Sequence, residues 1–90
     1  MSDPLPAPSL QLLVTQLAAQ ALMELGEVPN PLTGESEVSL PRARFTIDLL
    51  GVLREKTTGN LDAEEEKLLD GTLAQLRMKY SSKEIGRAHV

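Results

Sequence analysis

The densest set of groups able to do chemistry in this sequence is a run of carboxylates, Asp62, Glu64, Glu65, Glu66 and Asp70. Side-chain oxygens of this kind are what Mg²⁺ and Ca²⁺ select. The spacing is not that of a calcium loop, however, and carboxylates at the start of a helix already have a sufficient role beside its positive end. No metal or cofactor is therefore assigned to them. A small carboxylate-based metal- or anion-binding protein or enzyme is the alternative reading. Nucleophilic catalysis lacks its parts: His89 is the one histidine and cysteine is absent, so no Ser-His or Cys-His pair can be assembled within the foldable part. Gly59 in the run Thr57 to Leu61 stands beside hydroxyls, but without the lysine or the preceding strand of a phosphate-binding loop it reads as a helix stop. No catalytic residue is assigned.

Three polar side chains remain as candidates for contact with a partner or ligand. Asn30 and Thr33 lie in the turn-rich run Pro29 to Glu35, and loops carry function disproportionately. Arg42 and Arg44 sit near the start of a helix, where the dipole disfavours a cation. Arg44 can pair with Asp48 at i+4. Arg42 has no such partner on its own helix, which leaves it for a carboxylate on another subunit or a ligand.

The elements that position these residues are helical. Met1 to Pro8 carry Pro4, Pro6 and Pro8 with little apolar bulk and read as a disordered leader. Ser9 is placed to cap a first helix over about 10–25, closed by Gly26 in the left-handed conformation. Residues 27–38 are a linker rich in Gly, Pro, Asn and Ser. Ser39 is the next N-cap candidate, with Pro41 tolerated in the first turn of a second helix over about 40–57. Asp62 and Glu65 form a capping-box pattern for a third helix over about 63–80. A short connection makes the last two helices an antiparallel hairpin. The expectation is an all-α, three-helix protein with a single domain over 9–82.

Helical periodicity sorts the faces. The third helix has one stripe, Leu69, Leu73, Leu76 and Tyr80. The second is apolar around most of its circumference, from Ala43, Ile47 and Leu50 through Leu53 and Leu49 to Phe45 and Val52, and should be covered on more than one side. The first carries two opposed apolar groups: a larger one of Leu10, Val14, Leu17, Ala18, Ala21 and Leu25, and a smaller one of Leu12, Ala19 and Met23. Three helices can cover the larger group and leave the smaller wet, the mark of an interaction surface. Leu12, Ala19 and Met23 are the first interface candidates, with Phe45 and Val52 next.

Composition points the same way. A chain of 90 residues with one Phe and one Tyr forms at most one small domain, burying only about 60% of its unfolded surface. Chains this small add disulfides, a metal or a partner subunit, and without cysteine the remaining choice is association. We expect a helical protein-interaction module that self-associates through the first helix as a homodimer, with room for an unidentified protein partner. A net charge of −4 argues against nucleic acid, whose binding rests on Lys and Arg displacing counterions. There is no basic leader with an apolar run, and the longest uncharged stretch, Pro4 to Met23, is broken by prolines and glutamines. Neither a signal peptide nor a membrane span is expected, and the expected location is cytoplasmic.

From Leu10 to Tyr80 the chain resembles a family of short bacterial proteins catalogued only as a domain of unknown function. The resemblance is carried by QALMELG (Gln20 to Gly26), PNPLTGE (Pro29 to Glu35), Ile47-Asp48, EKTTGNL (Glu55 to Leu61), EEEKLL (Glu64 to Leu69) and LRMKY (Leu76 to Tyr80). It implies a helical bacterial protein and brings no catalytic residue with it. EIGRAHV, Glu84 to Val90, matches the translation of a common sequencing adapter and is expected to be an artefact or else a disordered tail.

Overall fold

Among the described residues there are three helices, and two of them begin where a first free backbone amide finds a side-chain acceptor. The computed structural model describes residues 4–88, with α1 at Leu10–Glu24, α2 at Leu40–Lys56 and α3 at Ala63–Ala88. Met1 to Asp3 of the expected leader, and His89 and Val90 of the tail, lie outside the described residues. Pro4 to Pro8 are exposed and follow no regular structure. Ser9 caps α1, its Oγ accepting from the Leu12 amide at 3.0 Å. Asp62 and Glu65 close the expected capping box reciprocally: the Glu65 amide donates to the Asp62 carboxylate at 2.8 Å and the Asp62 amide to Glu65 at 2.9 Å.

Ser39 departs from its expected role. Its side chain makes no capping bond. The start of α2 is held by backbone instead: the Ser39 amide donates to the Glu24 carbonyl at 2.7 Å, and Leu25 and Val38 form an isolated antiparallel bridge. The two ends of the linker are thereby joined. Gly26 permits this closure, with φ at +75° and so little room that an added Cβ would lie 2.7 Å from Val38 Cγ2. Within the loop, Asn30 organises a turn. Its Oδ1 accepts from the Leu32 amide at 2.8 Å, and its carbonyl accepts from Gly34 at 2.7 Å.

The core is the set of stripes read from periodicity. Val14, Ala21 and Leu25 come from α1 and its C-cap, Leu40, Ala43, Ile47 and Leu50 from α2, and Leu69, Leu73 and Leu76 from α3, with Leu10, Leu17, Ala18 and Tyr80 packed at its edge. α2 and α3 run antiparallel, as the bond from Arg54 to Asp70 and the approach of Arg77 to Gly51 show. Among the described residues, one polar residue enters the core. Thr46 is fully buried, and its hydroxyl donates to Glu24 Oε1 at 2.6 Å. Gln20 Nε2 lies 3.4 Å from both Thr46 Oγ1 and Glu24 Oε2. A buried hydroxyl without a partner is costly, so this network ties the α1–α2 seam.

Two expectations about extent are corrected. α3 does not end near Tyr80 but runs to Ala88, so residues 84–88 are helical in place of an irregular tail. No Gly or Pro interrupts the helix between Gly71 and Gly86, and Lys79 and Lys83 both reach Glu27, at 3.1 and 3.2 Å. α2 is also not covered on several sides. Phe45, Leu49 and Val52 remain exposed, because α1 and α3 both pack on its opposite face.

The Glu27 pair has a testable pH signature. Hydrogen bonds from Lys79 and then Lys83, with their charges, hold the Glu27 carboxyl below its ordinary value of 4.5. A carboxylate depressed in the folded state contributes stability that is present above its unfolded value and lost as pH falls through the lower folded value. The melting temperature should therefore fall as pH drops below about 4.5, and Glu27→Gln should flatten part of that decline while changing little at pH 7 beyond the loss of a surface pair. Parallel acid limbs for the two proteins would show that the lysines do not grip Glu27 in solution.

Candidate interaction surface

A helix in a three-helix arrangement has one outward face, and its residues decide whether that face is finished by water or by protein. On α2 the outward positions are Phe45, Leu49 and Val52, at i, i+4 and i+7, and they are 65%, 40% and 53% exposed. Apolar residues here cannot contribute to the core, because Ala43, Ile47 and Leu50 already point the other way. The stripe has two charged rims. Arg44, Asp48 and Glu55 lie along the α3 side, where Arg44 pairs with Asp48 at 3.8 Å as the i+4 spacing predicts. Arg42 lies along the other, and Lys56 continues the line of the stripe at i+4 from Val52.

The interface candidates on α1 sit differently. Ala19 is exposed, but Leu12 and Met23 are half-buried. Met23 lines a shallow cleft of about 190 Å³ together with Gln20, Glu24, Asn30, Glu37, Ser39 and Arg42. The structure thus brings two of the three polar candidates, Asn30 and Arg42, to one place between the linker and the starts and ends of two helices. Thr33 is not with them. Its Oγ1 accepts from the Glu35 amide at 3.2 Å, a bond internal to the loop. Arg42 is exposed and makes no ion pair among the described residues. At the loop tip Leu32 is 92% exposed.

The acidic run is engaged in the fold. Asp62 and Glu65 cap α3, and Asp70 and Glu66 face Arg54 at 2.6 and 3.7 Å. The hydrogen bond that Arg54 donates to Asp70 raises the Arg54 pKa above its ordinary value. Among the described residues no group of three or more His, Cys, Asp or Glu side chains is arranged to hold a metal ion, and no helix is long and apolar enough to cross a membrane.

Sequence reasoning missed the Gln20–Glu24–Thr46 network. The signal was present: Thr46 lies at i+3 from Ala43 and i−4 from Leu50, on the core face of α2, where a hydroxyl demands a partner. Leu49 was also placed among the covered residues. Comparison with known proteins finds a family model described as a domain of unknown function (DUF1844) that matches residues 7–82. No curated protein and no solved structure matches the chain.

Proposed function

Because the chain belongs to the DUF1844 family, whose description names no activity, we propose its role from its own surface: it is a helical protein-interaction module that self-associates. The observation that carries this reading is the uncovered stripe of Phe45, Leu49 and Val52. Aromatic and aliphatic side chains lined up on one helix face, rimmed by charges, are what a protein partner buries. The supporting face lies on α2 rather than on α1, since Leu12 and Met23 are half-buried by their own chain. The small core gives association a stabilising role as well.

Size-exclusion chromatography with light scattering tests the reading. The full chain should show a mass that rises with concentration across the micromolar range, and Phe45→Asp should give a folded monomer with unchanged helicity. A strict monomer at tens of micromolar for the unaltered chain would defeat it.

A further inference from the structure

The groove between α2 and α3 holds more hydrogen-bond donors than its own chain uses. Arg44, Ile47 and Asp48 line it from α2, and Arg77, Tyr80 and Ser81 from α3, around a space of about 310 Å³. Among the described residues Arg77 makes no ion pair. Its guanidinium and the Tyr80 and Ser81 hydroxyls make no hydrogen bond there either. Arg44 has Asp48 near it at 3.8 Å, too far for a hydrogen bond. Arg77 is nevertheless placed. An added Cβ at Gly51 would lie 3.3 Å from its Nη2, so the guanidinium rests where α2 lacks a side chain. Glycine inside a helix is disfavoured relative to alanine, and here the room it leaves is taken by a cation.

We propose that this groove binds a small organic carboxylate, its oxygens held by Arg44 and Arg77 and its apolar body lying against Ile47 and the half-buried Tyr80 ring. A guanidinium matches the two oxygens of a carboxylate with parallel N–H donors. The lining side chains carry two positive charges and one negative, so the surplus balances one negative charge. A phosphate dianion would leave charge unmatched beside Asp48. Glu84, the next carboxylate along this face of α3, does not line the groove. The site lies within one chain and stands apart from self-association.

Tyr80 is the one tyrosine and tryptophan is absent, so the intrinsic emission of the full chain reports on the groove. Butyrate, titrated at fixed protein concentration and ionic strength, should change that emission saturably, with a midpoint on the order of millimolar for a few exposed charge-assisted bonds. Acetate, which lacks the apolar body, should bind roughly threefold more weakly, and inorganic phosphate more weakly than butyrate. Arg77→Gln should weaken butyrate about tenfold, whereas Lys67→Gln, at the far end of α3, should not. Gly51→Leu should keep its helicity by circular dichroism and weaken binding similarly, because the new side chain takes the place of the guanidinium. Chloride changing the emission as butyrate does, or undiminished binding by Arg77→Gln, would overturn the site. Tighter binding of phosphate would overturn the assignment to a carboxylate. An amidated peptide with one internal glutamate should bind no more tightly than butyrate, and a tenfold tighter complex would overturn the small-molecule assignment.

Discussion

Leu50→Ala should remove most of the stability of this domain, while Leu49→Ala, one residue earlier, should leave it folded. Leu50 is completely buried among the α2 core residues, and truncating such a leucine costs about 2–5 kcal/mol, the lost transfer energy plus that of the cavity left behind. Total stabilities run from about 5 kcal/mol upward, with small domains at the low end, so a loss of this size is comparable to the whole. Leu49 is 40% exposed and points outward. Its truncation removes partly wet surface and should cost less than about 1 kcal/mol, with its main effect on association. Urea unfolding followed by circular dichroism separates the two. Similar midpoints would mean that α2 is rotated about its axis relative to the arrangement described here.

The second large effect is expected at Gly26. An L-residue at φ near +75° carries a backbone penalty of about 1–2 kcal/mol. Here the new methyl would also meet Val38 Cγ2 at 2.7 Å, so the Val38 side chain has to shift. Gly34 provides the control. Its φ is +72° with no atom within 4 Å of an added Cβ, so Gly34→Ala should show the backbone share alone. Gly26→Ala should cost about 1 kcal/mol more than Gly34→Ala, and that excess should shrink when Val38→Ala is combined with it. Equal losses at the two glycines would rule out the steric contribution at Gly26.

Much of the fold was legible because short helices announce themselves by caps and period. Ser9, the Asp62–Glu65 box and Gly26 bracketed the elements to within a residue or so, and the α3 stripe of Leu69, Leu73 and Leu76 is buried as its spacing requires. The end of α3 was not legible: the contacts made around Tyr80, those of Lys79 and Lys83 with Glu27, join residues more than fifty apart in sequence. The larger face of α1 was read correctly as core. The division of labour on α2 was not. An apolar residue looks the same in sequence whether a neighbouring helix lands on it or misses it, and only the side on which α1 and α3 pack separates Leu50 from Leu49. Asn30 and Thr33, candidates for contact with a partner, shape their own loop through bonds to Leu32 and Glu35.

That loop offers an engineering opportunity. Its ends are joined by the Ser39–Glu24 hydrogen bond and the Leu25–Val38 bridge, so the spacing and direction of the flanking helices do not depend on what lies at the tip. Foreign peptides of varied length inserted between Leu32 and Thr33 would start and finish at one fixed point, with only a slow growth in closure entropy as they lengthen. The domain is thereby suited to displaying a constrained epitope or a reporter strand on a cysteine-free helical carrier.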